Sequence, residues 1–119
     1  MQRWALLEHK IDRVNNIEIH FDFLVENGFD CLTWKIFKLP IINGSPTEII
    51  KQKNHRLVWL HREQYNLSSN RGFVKRIDHG YYEIVEESLL NESFSLILDG
   101  KIFHGIFANQ DGFCTLSSK

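Results

Sequence analysis

The sequence predicts an all-β fold, a small closed or nearly closed β-barrel of about eight short antiparallel strands. Apolar and polar residues alternate along several short segments, turn-forming residues separate those segments, and no window has an apolar period of 3.6 residues. A barrel follows because so many short strands in a chain of 119 residues would otherwise leave exposed sheet edges.

Length and composition indicate a single domain, residues 1–119, in the cytoplasm. With 43% hydrophobic residues the chain can bury one core, and it is too short for two. Its two cysteines, Cys31 and Cys114, form no CxxC pair, which favours a reducing compartment over a disulfide-bonded secreted domain. The charged N-terminal segment is unlike a signal peptide, and no apolar run reaches the roughly 20 residues of a membrane helix, so we expect no membrane partner.

Charge is unevenly distributed along a chain whose formal net charge is -1. Residues 51–76 contain one acid, Glu63, and seven basic residues, namely Lys51, Lys53, Arg56, Arg62, Arg71, Lys75 and Arg76. We call this stretch the basic segment. It can create a local positive potential for a nucleic acid, although Lys and Arg are also common on any solvated strand face.

The first half of the chain divides into four predicted strands. They are residues 3–8, 17–26, 31–38 and 48–53, with a turn-rich break at residues 39–47 that contains both prolines. Alternation in the second strand gives an apolar face, expected to line the barrel, of Ile17, Ile19, Phe21, Phe23 and Val25. Its other face carries Glu18, His20, Asp22, Leu24 and Glu26.

The second half is richer in turn signals. Residues 55–60 read as a further strand and the polar residues 64–72 as an exposed loop. Residues 72–78 and 81–85 are expected to flank a hairpin turn at His79-Gly80. Residues 93–98 and 101–108 are expected to flank a two-residue type I′ turn at Asp99-Gly100. We expect a short helical turn over residues 86–92 and a loosely ordered tail after residue 109.

Three residues are candidates for a metal site. His20 and Asp22 are two apart on a strand, so both side chains leave the same face. His9 follows the first strand and can approach them if the two strands pair through residues 10–16. We call these residues the His–Asp set. Their nitrogen and oxygen donors suit Mn²⁺, Zn²⁺ or Fe²⁺, although a His-x-Asp pair also occurs on ordinary solvated faces.

His55, His61 and Arg56 lie in the basic segment, where an imidazole can donate to a phosphate oxygen or act as a general acid. On the alternative interpretation they are exposed loop residues. His79 and His104 are expected to be structural. Five aromatic residues can either stack bases or fill the interior: Trp34, Trp59, Tyr65, Tyr81 and Tyr82. Phosphate-loop, dinucleotide-binding, GxSxG and HExxH motifs are absent from the sequence.

The order and type of these residues resemble the 3′-phosphoesterase domain of bacterial DNA ligase D. The matching runs are residues 3–9 (RWALLEH), 20–26 (HFDFLVE), 33–36 (TWKI), 54–57 (NHRL), 72–74 (GFV), 78–83 (DHGYYE) and the closing hairpin at 94–107. Similarity thus extends over nearly the whole chain to about residue 108. The pattern looks more like a free-standing relative than the domain fused to a ligase.

The resemblance implies a Mn²⁺-dependent barrel that hydrolyses phosphoesters at the 3′ ends of DNA or RNA during end repair. It would remove a terminal ribonucleoside and then the 3′-phosphate, with nucleic-acid ends and other repair proteins as partners. Residue by residue, the His–Asp set corresponds to the metal ligands, with Mn²⁺ or another transition metal such as Zn²⁺ as cofactor. His55 corresponds to the histidine that meets the phosphate and acts in catalysis with His20 and Asp22.

The sequence departs from the family at three points. Leu24 replaces an arginine that would clamp phosphate, and Arg56, Arg71 or Lys75 are candidates to substitute for it. Trp59 replaces a tyrosine, and the spacing from His9 to His20 is longer than usual. Two other functions therefore remain open: a non-catalytic module that binds nucleic-acid ends or a repair partner, and a hydrolase of a small phosphate ester in a pocket that Leu24 makes more apolar.

Overall fold

A computed structural model describes residues 1–67, 71–85 and 93–119 of the chain. These residues form one 3₁₀ helix, Leu57–Leu60, and nine strands: β1 (Gln2–Asp12), β2 (Ile17–Asn27), β3 (Asp30–Ile36), β4 (Thr47–Arg56), β5 (Gln64–Asn66), β6 (Phe73–Ile84), β7 (Phe94–Asp99), β8 (His104–Gln110) and β9 (Phe113–Ser117). The all-β prediction is confirmed. The described residues include no helix that is long and apolar enough to cross a membrane.

Eight of the described strands form a ring in the order β1-β2-β3-β4-β9-β8-β7-β6, and β6 pairs again with β1. All of these strand pairs are antiparallel. The contact between β4 and β9 is short, with Thr47 opposite Cys114 and Glu48 opposite Phe113. The predicted, nearly closed barrel of about eight strands is confirmed, and β5 adds to β6 outside it.

The inner core draws apolar side chains from all eight ring strands, which identifies it as the barrel interior. Its largest members are Trp4, Phe23, Trp34, Phe103 and Phe107, and their rings contact one another at centroid distances of 4.6–6.2 Å. Phe23 and Val25 line this interior as the alternation of β2 predicts. Aromatic burial of this size is the main stabilising contribution in so small a barrel.

A second apolar cluster packs on the outside of the ring. This outer cluster consists of Ala5, Leu7, Leu24, Cys31, Leu60 and Val74, and it is covered by Leu57, Trp59 and Leu67. Residues 57–67, from the 3₁₀ helix through β5 to Leu67, therefore cover the outer side of β1, β2 and β3, and we call them the lid. Both faces of these central strands are consequently buried.

The prediction that only one face of β2 is buried was therefore wrong, and two residues at the start of the strand were also placed wrongly. His20, Asp22 and Leu24, expected off the buried face, are 4%, 6% and 0% exposed. Leu24 is covered by the outer cluster, whereas His20 contacts His9, Glu18 and Phe37. Ile17 and Ile19, expected in the interior, are 61% and 43% exposed. They lie at the start of β2 beside the β1–β2 turn, away from the inner core.

The expected turn at His79-Gly80 was also wrong, because β6 runs through it as one strand. Gly80 lies opposite Trp4, and a Cβ there would come within 2.0 Å of Asp99 Oδ1. The Trp4 indole N–H donates to the carbonyl oxygen of Tyr81 at 3.1 Å. Gly80 therefore permits a close approach within the barrel rather than a change of chain direction.

The β7–β8 hairpin exists as predicted, but its turn is longer than the expected type I′ turn. Asp99 pairs with His104, which leaves residues 100–103 as the connection, and neither Asp99 nor Gly100 has a positive φ. The buried carboxylate of Asp78 accepts backbone hydrogen bonds from Lys101, Ile102 and Phe103 at 2.7–2.9 Å. A long-range side chain, rather than local turn chemistry, thus determines the connection.

Three further boundaries differ from expectation. Residues 55–60 end β4 and then form the 3₁₀ helix, and Gln64–Asn66 within the expected loop forms β5. The tail after residue 109 is not loosely ordered, because Asp111 and Gly112 turn the chain with positive φ and Cys114 is buried in β9. The helical turn expected at 86–92, and residues 68–70 of the expected loop, lie outside the described residues.

Candidate active site

Pairing of β1 with β2 brings the His–Asp set together. His9 lies directly opposite His20, and Leu7 lies opposite Asp22, so His9, His20 and Asp22 leave the same face of the sheet. β1 is longer than predicted and ends at Asp12, so His9 lies within a paired strand rather than at its end. A paired strand restricts the backbone of all three residues.

The donor atoms of the His–Asp set converge. His9 Nδ1 lies 3.2 Å from His20 Nε2, His20 Nε2 lies 3.4 Å from Asp22 Oδ1, and His9 Nδ1 lies 3.8 Å from Asp22 Oδ2. The side chains are 15%, 5% and 8% exposed, in the order His9, His20, Asp22. Two imidazoles and a carboxylate thus meet in a nearly desolvated position.

Hydrogen bonds on the far side of each ring fix which nitrogen faces the centre. His9 Nε2 lies 2.6 Å from the carbonyl oxygen of Arg71, which can only accept, so Nε2 carries a proton and, in the neutral ring, Nδ1 presents a lone pair. His20 Nδ1 lies 3.3 Å from Glu18 Oε2, so by the same argument Nε2 presents its lone pair. Arg13 donates to Glu18 at 3.0 Å, and this hydrogen bond lowers the pKa of Glu18, which keeps it an acceptor.

This donor set fits a divalent transition metal. Two imidazole lone pairs facing each other beside a carboxylate repel one another unless a metal ion or a proton lies among them. Donor atoms around a tetrahedral metal with bonds of about 2.1 Å lie about 3.4 Å apart, which matches the separations found here. An outer partner on each histidine is also the usual arrangement around a bound metal.

The His–Asp set opens into a cleft of about 670 Å³. His55 and Trp59 also line this cleft, as do three cations, Arg13, Lys35 and Arg71. Six residues were expected from the sequence to meet metal or phosphate, and five of them, His9, His20, Asp22, His55 and Arg71, share this cavity. Its lining combines metal-ligating, cationic and aromatic side chains.

Arg56 and His61 do not line the cleft. Arg56 follows His55 on β4, so its side chain leaves the opposite face of the strand and is exposed. His61 Nε2 lies 2.7 Å from Arg3 Nη1 and accepts its hydrogen bond. The structure describes all seven cations of the basic segment, and of these only Arg71 lines the cleft.

Lys35 is a cleft residue that the sequence reasoning missed. It lies opposite Asp22 across β2 and β3 and therefore shares the face of the His–Asp set. Its amino group lies 5.7 Å from the centroid of the Phe37 ring. The signal was present in the alternation of β3, where the core residues Trp34 and Ile36 point inwards and leave Lys35 on the outer face.

Leu24, which stands where the resembling family has an arginine, lies outside the cleft. Leu24 is completely buried in the outer cluster with Leu7 and Leu60, beneath the 3₁₀ helix, and it does not line the cleft. The absence of an arginine there therefore extends the apolar packing under the lid. It does not make the cleft wall more apolar, which removes the main argument for a small-ester hydrolase.

Comparison with known proteins adds no relative. A scan against models of protein families and a search of curated proteins both returned no match.

Proposed function

We propose that the protein is a divalent-metal-dependent phosphoesterase that acts on the 3′ ends of nucleic acid, as a free-standing relative of the ligase D 3′-phosphoesterase domain. One observation carries the proposal. The His–Asp set and His55 match the family motifs in order, and they line the same cleft although His9 and His55 are 46 residues apart in the chain. Convergence of chemically compatible residues in a cavity is the usual mark of an active site.

The His–Asp set would hold Mn²⁺ or another transition metal. A divalent ion bound there supplies charge neutralisation of the phosphate and activation of a water molecule. The protein's own contribution is to orient the two imidazole rings, His9 through the carbonyl oxygen of Arg71 and His20 through Glu18. Burial of the set limits competition from bulk water.

His55 would act on the phosphate from another side of the cleft. Its Nδ1 lies 3.2 Å from the carbonyl oxygen of Lys53, which can only accept a hydrogen bond. Nδ1 therefore carries a proton, and Nε2 is the nitrogen that meets a substrate oxygen. When Nε2 is protonated as well, the imidazolium of His55 can stabilise the phosphoryl oxygens or protonate the leaving oxygen.

Lys35 and Arg71 would replace the charge of the family's missing arginine. Both line the cleft, and Lys35 lies opposite Asp22 in the sheet. A lysine gives a point charge rather than the bidentate fork of arginine, so the replacement preserves charge but not geometry. We therefore assign phosphate binding to Lys35, Arg71 and His55, and not to Arg56.

The proposal is tested with a labelled primer-template that ends in a 3′-phosphate or a 3′-ribonucleotide, incubated with and without Mn²⁺, Zn²⁺ or Fe²⁺. We expect metal-dependent removal of the terminal group by the wild-type protein and none by His20→Ala. A folded wild-type protein that binds the substrate but cleaves it with none of the metals would reject the enzyme and favour the non-catalytic binding module.

A matched pair of variants tests the phosphate contacts. Lys35→Ala should lower kcat/KM about tenfold or more, because it removes a charge beside the metal ligands. Arg56→Ala removes the same charge from the basic segment but outside the cleft, so its kcat/KM should remain within about twofold of wild type at moderate salt. Equal losses in the two variants would show that charge acts only at long range.

A further inference from the structure

Three rings in succession lead out of the cleft. Trp59 lines it beside His55, with the two ring centroids 6.4 Å apart and the planes at 70°. Tyr65 is the next ring, 5.5 Å from Trp59 and at 88° to it. Tyr65 belongs to β5, outside the barrel ring, and is 43% exposed. The series therefore starts at the phosphate-binding histidine and ends in solvent.

Arg62 occupies the angle between the two larger rings. The central carbon of its guanidinium group lies 4.7 Å from the Trp59 centroid and 4.2 Å from the Tyr65 centroid. Cation–π attraction on this scale favours the two rings in their present orientation and places a positive charge beside them. We call Trp59, Arg62 and Tyr65 the stacking wall.

Packing alone does not account for the stacking wall. Trp59 does pack against the outer cluster, and that contact stabilises the lid. Tyr65, in contrast, contributes to neither apolar cluster among the described residues. An exposed aromatic ring with a guanidinium group over it, continuous with a phosphate-binding cleft, is the combination used to bind bases of single strands.

We propose that the stacking wall binds the nucleobase of an unpaired 3′ end while the phosphate of that end lies at His55. The inference rests on the proposed function and specifies its substrate as single-stranded or frayed 3′ ends. The terminal base of a duplex is paired and stacked on its neighbour, so it cannot turn towards a side chain unless the pair first opens. A nucleotide whose phosphate is held at His55 has its base within reach of the adjacent Trp59.

Binding is measured without metal, in the presence of a chelator, so that turnover does not contribute. A short single-stranded oligonucleotide with a 3′-phosphate should quench tryptophan fluorescence, and the signal reports Trp59 because Trp4 and Trp34 are each 1% exposed. A blunt duplex of the same sequence should bind about tenfold more weakly. Equal affinity for the single strand and the duplex would overturn the inference.

Variants of the wall give the second test, with affinity read from the anisotropy of a labelled oligonucleotide. Tyr65→Ala and Trp59→Leu should each weaken single-strand binding about tenfold, and Trp59→Leu keeps an apolar contact with the outer cluster. Tyr81→Ala is the matched control, because Tyr81 is 48% exposed on β6 and does not line the cleft. Wild-type affinity in both wall variants would overturn the inference.

The two proposals fail in distinguishable ways. Cleavage of a 3′-phosphate by wild-type protein, with wall variants that bind single strands normally, would reject the stacking wall and retain the enzyme. Weaker single-strand binding in the wall variants, with no cleavage by wild type under any of the metals, would retain the stacking wall and reject the enzyme.

Discussion

The two faces of the β1–β2 pair are both buried, but they carry different kinds of side chain. The inner face contributes Trp4 and Phe23 to a core that all eight ring strands share. The outer face carries the His–Asp set next to a smaller apolar cluster, covered by one turn of 3₁₀ helix. Burial therefore does not distinguish the core residues from the residues of the candidate site. The core side chains are apolar and pack against one another, whereas the side chains of the candidate site are polar and their donor atoms lie close together.

The difference has a physical basis. The inner face gains free energy from the apolar area that it removes from water, roughly 25 cal/mol per Å². The outer face gains less free energy, because two imidazoles and a carboxylate there are removed from water and lie close to one another. A bound metal ion or a proton between the two rings would offset this cost, and the apolar burial of the inner core stabilises the barrel as a whole.

The largest expected effect comes from breaking the inner face. Phe23→Ala should lower the free energy of unfolding by about 3–5 kcal/mol, because Phe23 contacts four aromatic rings and leaves a cavity that they cannot fill. Urea denaturation followed by circular dichroism measures the change. Phe23→Leu, which retains more of the buried volume, is the control and should cost far less; similar losses in both would contradict a cavity as the cause.

On the outer face, Asp22→Asn should act through the metal. Saturating metal stabilises any protein that binds it only when folded, by about 2.7 kcal/mol at one hundred times Kd. We expect Mn²⁺ to raise the Tm of the wild type and to leave that of Asp22→Asn unchanged. In a chelator the two proteins should melt within a few degrees of each other, because the amide removes a charge from a crowded position. A variant that still gains stability from Mn²⁺ would reject Asp22 as a ligand.

A smaller effect is expected one step further from the ligands. Glu18→Gln weakens the acceptor that holds His20 Nδ1, and loss of such an outer partner typically reduces metal affinity 10- to 100-fold. Glu8→Gln is the matched control, since Glu8 lies next to His9 on β1 and so leaves the opposite face. Isothermal titration with Mn²⁺ measures both. Equal affinities for the two variants would show that Glu18 does not position His20.

The same contrast explains what the sequence could predict. Alternation placed Phe23 and Val25 in the interior, because period-two burial is a local property of each strand. It also placed His20 and Asp22 on one face, which is the part of the site that one strand determines. The approach of His9 was conditional on strand pairing, and the register that puts it opposite His20 is a tertiary feature.

Errors arose where distant parts of the chain determine local structure. Gly80 indicated a turn from its residue type. In the structure it lies within a strand, where the absence of a side chain leaves room for Trp4 and Asp99 from other strands. The turn after Asp99 follows the buried carboxylate of Asp78 rather than its own residues. Burial of the outer face depends on a lid whose residues, 57–67, are remote in sequence from β2. No pattern within one strand carries that information.

The smallest expected effect is a difference in thiol reactivity between the two faces of the folded protein, because each face contains one cysteine. Cys31 belongs to the outer cluster and Cys114 to the inner core, and both are fully buried. Burial raises the pKa of Cys31 to about 12 and also raises the pKa of Cys114, so both thiols stay protonated at pH 8. A thiol reagent, which attacks the thiolate, must therefore wait for each region to open.

We expect Cys31 to react faster than Cys114, measured with a chromogenic disulfide reagent on the Cys114→Ala and Cys31→Ala proteins. The lid over Cys31 is one turn of 3₁₀ helix and a short strand, whereas exposure of Cys114 requires the ring to open. In dilute urea the rate at Cys114 should follow global unfolding, and the rate at Cys31 should depend less on urea because a smaller surface is exposed. Identical rates and urea dependence would mean that the two faces open as one unit.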